Sequence, residues 1–189
     1  MTDMKKFLLI AIAAPLLYLT ACTRPGSEKV YKVIGDGPAA LQAAFNADVG
    51  KVRVLMLVSP TCGVCLRGAS EVSEQLVKLE HGKDVRVYVV WVPRLNALEK
   101  NVPAATGVVS ASWARQYWDG NDLLGQKYKQ VLGWNDNAWD VYFLYRPERK
   151  WEGDFPPAPD FFMHQTGEKG PRLDARTFGS KIEQLLRQQ

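Results

Sequence analysis

The sharpest chemical feature of the sequence is a pair of cysteines with two residues between them, Cys62-Gly63-Val64-Cys65. A structural disulfide stabilises mainly by restricting the unfolded chain, and the gain grows with the loop it closes. A two-residue loop restricts little, so the pair suits a couple that opens and closes. That chemistry needs a thiolate, because only the thiolate attacks a disulfide sulfur. A free cysteine, with a pKa of about 8.5, needs help near neutrality. The first turn of a helix supplies it through unpaired N–H groups and the positive end of the helix dipole. The reading is therefore Cys62 as nucleophile and Cys65, one turn deeper, as resolving thiol. A zinc site would require two further ligands, and the chain offers only His81 and His164, far apart in sequence.

The flanking segments are those that would hold such a pair. Residues 52–58 (Val-Arg-Val-Leu-Met-Leu-Val) are a short, nearly continuous apolar run ending at Ser59-Pro60, which predicts a buried central strand. Residues 66–79 place Val72, Leu76 and Leu79 at helical spacing, with Gly82 just past the end. Residues 85–92 read as a second buried strand. Strand, cysteine pair at a helix start, helix and strand form a βαβ unit, which implies parallel strands. Upstream, residues 30–34 read as a short strand. Residues 38–47 read as a helix with Pro38 in its first turn and Leu41 and Phe45 on one face. Downstream, residues 110–118 and 122–132 are expected to be helical, with a turn at Asn135-Asp136-Asn137. Residues 141–145 are expected as a strand, 146–149 as a hairpin turn into Lys150-Trp151, and 156–159 as extended, proline-rich loop. Residues 174–186 close the chain as a helix with Phe178, Ile182 and Leu185 on one face.

The N-terminus reads as an address. Lys5 and Lys6 precede an apolar run over residues 7–19 that is interrupted by Pro15. A bilayer-spanning helix needs about 20 residues, so the run fits a signal-peptide core. Leu19-Thr20-Ala21-Cys22 follows and resembles the bacterial lipobox. The resemblance implies cleavage before Cys22 and acylation, palmitate included, of that cysteine. Each buried CH₂ contributes about 0.8 kcal/mol, and stable attachment needs at least two chains. Thr23, where an aspartate would favour the inner membrane, points to the outer one. The expected organisation is a signal peptide over 1–21, a polar tether over 22–29 and one domain over 30–189. The expected location is the cell envelope, with the domain lipid-anchored and facing the periplasm. The net charge of +4 is scattered, without a basic stripe, and gives nucleic-acid binding no support.

Taken together, the apolar strand, Ser59-Pro60-Thr61-Cys62-Gly63-Val64-Cys65, the amphipathic helix, the next strand and the C-terminal helix resemble the thioredoxin superfamily. The motif match is firm over residues 52–92. The resemblance implies an α/β fold of three layers, a central mixed sheet flanked by helices, here with an aromatic-rich insertion. It further implies thiol–disulfide exchange on protein dithiol and disulfide substrates, a membrane electron donor, and no cofactor beyond the Cys62–Cys65 disulfide. The chain departs from the family in three places. Thr61 stands where thioredoxin has tryptophan, and Met56 stands where it has a buried acid. No proline occurs in Asn137-Ala138-Trp139-Asp140-Val141, where a cis-proline usually faces the disulfide. Trp139 or Asp140 is left for that place.

Thirteen of the twenty aromatic residues fall between Trp113 and Phe162, enough to read either as sheet cover or as a lined cleft beside the cysteines. Trp134, Trp139, Asp140 and Thr61 are the candidate contacts to a partner. Asp119, Asp122, Asp136 and Asp140 are read as caps and turns in preference to a metal cluster. The leading expectation is a membrane-anchored, extracytoplasmic thiol–disulfide oxidoreductase. Two alternatives stand beside it. One is a copper-handling or metalloprotein-assembly factor, with Cys62 and Cys65 as soft Cu(I) ligands and His164 as the late third ligand. The other is a non-enzymatic, partner-binding lipoprotein.

Overall fold

A computed structural model describes residues 29–79, 84–109 and 113–188. Cys22, the lipobox, His81 and Gly82 lie outside the described residues, as does nearly all of the expected tether. The elements run β1 (Tyr31–Val33), α1 (Ala39–Ala47), β2 (Val52–Val58), α2 (Gly63–Lys78), β3 (Val85–Trp91), α3 (Val102–Ala105), β4 (Ala114–Trp118), α4 (Leu123–Leu132), β5 (Val141–Tyr145), β6 (Phe161–His164) and α5 (Ala175–Leu186). The strands form one six-stranded sheet in the order β1-β4-β3-β2-β5-β6. The first four are mutually parallel, while β5 runs antiparallel to β2 and β6 antiparallel to β5.

Period-two alternation divides the core between the two sheet faces. Val54, Met56 and Val58 of β2 and Val87, Val89 and Trp91 of β3 pack under α2 and α5, meeting Val72, Leu76, Phe178 and Ile182. Leu55, Leu57, Tyr88, Val90, Phe143 and Tyr145 point the other way, under α1 and α4, meeting Leu41, Phe45, Leu124 and Tyr128. All seven residues of β2 are buried, as expected of a central strand covered on both faces. Arg53, on the α1 side, is buried too. Its guanidinium donates to the Phe45, Arg146 and Pro147 carbonyls and lies 4.5 Å from the Phe45 ring.

Two expectations are corrected. Residues 114–118 were expected as helix and form β4. Ala114, Arg115 and Gln116 are good helix formers, but the segment pairs with β1 and β3 on its two sides. The amide of Gln116, buried in the sheet, is fully engaged: it accepts from Trp91 Nε1 at 2.9 Å and donates to the Thr106 and Val109 carbonyls at 2.9 and 3.0 Å. Tertiary pairing overrides local propensity here. The second correction is the hairpin. Trp151 is not on a strand. It is drawn under α1, where its N–H donates to Asn46 Oδ1 at 2.8 Å and its carbonyl accepts from Gln42 and Asn46. The prolines at 156, 157 and 159 cannot donate to a ladder, and pairing with β5 resumes only at β6, Leu144 opposite Phe161.

Candidate active site

β2 ends under the sheet's C-terminal edge, and Ser59-Pro60-Thr61 turns the chain into α2. Ser59 Oγ donates to the Arg94 carbonyl at 2.7 Å, and Thr61 Oγ1 reaches the Arg94 and Leu95 carbonyls at 3.2 Å each. The turn is thereby tied to the loop after β3, where Leu95 and Asn96 both hold left-handed backbone, φ 55° and 58°. Thr61, Gly63 and Val64 are exposed, as is Leu95.

Cys62 is the N-cap of α2 in extended backbone, and its Sγ accepts from the Cys65 N–H at 3.2 Å. It is joined to Cys65 in a disulfide with Cα atoms 5.2 Å apart. The two sulfurs are unequally placed: Cys62 retains 5% exposure and Cys65 none. The thiolate of an opened Cys62 would inherit the N–H donor and the dipole of a 16-residue helix.

Asp140, one of the two residues left for the absent proline's place, lies beside the disulfide. It directly precedes β5, and its carboxylate lies within 4.8 Å of both sulfurs. The residue is fully buried and held at φ 51°, a left-handed conformation aspartate tolerates better than most residues. Its carbonyl accepts the Gln165 N–H at 3.0 Å. Oδ1 receives Tyr142 Oη at 3.3 Å; with the Gln165 amide turned so that its nitrogen faces inward, that nitrogen donates to Oδ1 at 2.8 Å and to the Val64 carbonyl at 3.1 Å. Tyr142 Oη also lies 3.2 Å from the Cys65 carbonyl. Oδ2 has no hydrogen-bond partner. Burial pushes the Asp140 carboxyl up to about 6, against the smaller lowering effects of the Tyr142 hydroxyl and the Arg172 cation. Burial first, and then the Asp140 charge, push the Tyr142 phenol far up.

The other expected residues sort differently. Trp139 is half-buried and packs against both cores. Trp134 is in the core, 6% exposed, its ring edge-on to His164 and Phe162, so it does not present a partner surface. His164 is buried beside it, with Nε2 3.2 Å from the Gly170 carbonyl. It is not among the possible ligand atoms gathered at the cysteines, which are those of Cys62, Cys65 and Asp140, so His164 is not placed as the third copper ligand. Asp119 caps α4 by accepting from Leu123 and Leu124 N–H. Asp122 bridges Arg94 Nη2 at 2.5 Å and Asn137 Nδ2 at 2.7 Å, while Asp136 is exposed. Sequence reasoning missed Tyr142 and Gln165. Tyr142 lies on β5 opposite Met56, and Gln165, just past β6, is brought to the site by its N–H bond to the Asp140 carbonyl.

No protein-family model matches the chain, and no curated protein does. Solved structures do. A thioredoxin-like protein in its oxidised form superposes with a TM-score of 0.52 at 11% identity, over 73% of this chain and 79% of that one. A secreted disulfide oxidoreductase of Mycobacterium tuberculosis homologous to E. coli DsbE gives 0.49 at 13% identity, over 74% and 85%. A SCO1/SenC family lipoprotein from Bacillus anthracis gives 0.49 at 13% identity, over 74% and 84%. At 11% identity the first of these likenesses defines the architecture alone: the chain has a thioredoxin-like fold with a Cys-x-x-Cys pair at the start of its second helix.

Proposed function

We propose that the chain is a lipid-anchored, extracytoplasmic thiol–disulfide oxidoreductase. The observation that supports it best is the asymmetric disulfide at the N-cap of α2, with Cys62 at the rim and Cys65 sealed beneath it. In the reducing direction the Cys62 thiolate attacks a partner's disulfide, one partner sulfur leaves as thiolate, and a mixed disulfide forms. Cys65 then attacks Cys62 Sγ, closes the pair and releases the second partner sulfur. The partner gains two electrons and the pair loses two, which a membrane electron donor restores. Run backwards, the same steps oxidise a partner dithiol. Exposed Val64 and Leu95, flanking Cys62, would give an unfolded or extended partner segment apolar contact. Attachment through Cys22 would hold the domain at the envelope surface.

The test is a redox titration of the full chain carrying C22S, in which only Cys62 and Cys65 can be alkylated. A reversible two-electron transition between about −120 and −270 mV, the span of known exchangers, is expected. A pair that never closes, or that closes and resists all reduction, would overturn the reading.

A further inference from the structure

We infer that Asp140 is the group that takes the proton from Cys65 when the pair closes and returns it when the pair opens; this rests on the exchange chemistry proposed above. The geometry leads to it. A resolving thiol must lose its proton to attack, and Cys65 is sealed from water. Met56, on the strand beneath, is no acid. Among the described residues the only carboxylate gathered with the two sulfurs is that of Asp140, within 4.8 Å of both. Its two oxygens are differently used: Oδ1 is held by Tyr142 and Gln165, whereas Oδ2 is buried without a partner. A carboxylate anchored through one oxygen and unsatisfied at the other is poised to bind a proton.

The neighbours fit the role. From β5, Tyr142 carries a phenol that burial keeps protonated, so it donates and does not compete as base. From the segment after β6, the Arg172 guanidinium bonds the Gln165 carbonyl and opposes a still higher Asp140 value. From α2, the two cysteines face the carboxylate, and the Glu71 charge acts on the Tyr142 phenol. A carboxyl pushed up to about 6 by burial is ionised at neutrality yet basic enough to accept a proton in passing.

The step balances. With Cys62 joined to a partner sulfur, the Cys65 S–H proton passes to the Asp140 carboxylate as Cys65 Sγ attacks Cys62 Sγ. The Cys62–Cys65 bond forms and the Cys62–partner bond breaks, its electron pair leaving on the partner sulfur. The proton then leaves Asp140 for water or for that thiolate. In the opening direction, protonated Asp140 supplies the proton to Cys65 as it departs.

The test uses the full chain with C22S, reduced and mixed with rising oxidised glutathione until the rate saturates at the closing step, with acid quench and mass readout. With Asp140 present, the closing rate should rise through about pH 6 and then flatten. In D140N it should be about 100-fold slower at neutral pH and keep rising into the thiol's own range. A D140N rate within about twofold of the parent over this range would overturn Asp140's role and leave the exchange reading standing. A parent pair that never closes would overturn both. A measurement without the substitution guards against misfolding: the Asp140 carboxyl ¹³C signal should titrate near the same midpoint. A midpoint in the ordinary aspartate range, about 4, would overturn the proposal.

Discussion

Replacing Asp140 by asparagine should stabilise the folded protein at neutral and alkaline pH while slowing its chemistry. Burial raises the carboxyl from 3.8 to about 6, and each pKa unit is worth about 1.4 kcal/mol. Because the folded value is raised, the stability linked to this proton is fully present below the unfolded value. It is lost as pH rises through about 6, leaving a buried charge that costs at most about 3 kcal/mol above it. Asparagine keeps the shape, tolerates the φ of 51° and still accepts from Tyr142 and Gln165, but without the charge, which gives back about 1 kcal/mol. The net expectation is a gain of about 1–2 kcal/mol at about pH 8, or a few degrees in Tm, and no gain at about pH 4, where aspartate is itself neutral. Urea unfolding of the oxidised protein at the two pH values reads this directly. An equal effect at both, or none at alkaline pH, would refute the electrostatic account of the site. A gain in stability with a loss of turnover is the mark of a residue retained for function.

Other outcomes follow from the same structure. Burial lowers the His164 pKa, so its contribution is present above the unfolded value and lost as pH falls through the folded one. His164→Gln should therefore flatten the acid limb of the stability profile, measured most clearly in the D140N background where the opposing Asp140 contribution is gone. Tyr128 and Tyr145 share one buried hydroxyl contact at 2.5 Å. Y128F and Y145F should each cost about 1–2 kcal/mol and the double variant no more than either, tested by a double-mutant cycle. Gly68 sits where an added Cβ would come 2.9 Å from Leu173 and press on the Tyr142 and Gln165 groups that hold Asp140. G68A should cost about 1–3 kcal/mol by urea unfolding and shift the Asp140 carboxyl titration. Cells expressing the chain should incorporate labelled palmitate, and C22S should abolish it.

The parts of this fold legible in the sequence were those with a single strong period. β2 and β3 are apolar runs too short for a helix and rich in β-branched residues, which suits strands buried on both faces. In α2 and α5 the apolar stripe recurs at helical spacing through Val72 and Leu76, and through Phe178, Ile182 and Leu185. What could not be read was fixed at long range. β4 opens with helix-forming residues, and its pairing to β1 and β3 and the enclosed Gln116 amide make it a strand. The partner of β5 lies beyond a proline-rich loop, because Trp151 finds better cover under α1 than on a hairpin. In the same way, the aromatic density of residues 113–162 resolved mostly into core, with Tyr128, Phe143, Tyr145 and Trp151 packed around the Phe45 side of the sheet.

The cysteines were legible because their spacing is local; Asp140 was legible only as one of two residues left for the proline's place, because the strand it precedes reaches β2 by a pairing distant in sequence. Met56 signalled only that one position lacked a carboxyl. The missing proline before β5 signalled only that another position was open. Both features resolve in one residue. Asp140 occupies the position left open before β5, adopts a backbone that aspartate tolerates, and brings to the sulfurs the charge that β2 does not carry. The loops on either side are fixed relative to each other by Asp122, which ties Arg94 from the β3 loop to Asn137 from the β5 approach. Since Arg94 also receives the Ser59 and Thr61 hydroxyls at its carbonyl, one short chain of polar contacts links the turn bearing Cys62 to the turn bearing Asp140. The separation between thiol and carboxylate is thus set by side chains from four segments. This is why a departure from the usual pattern at two sequence positions need not imply loss of the chemistry.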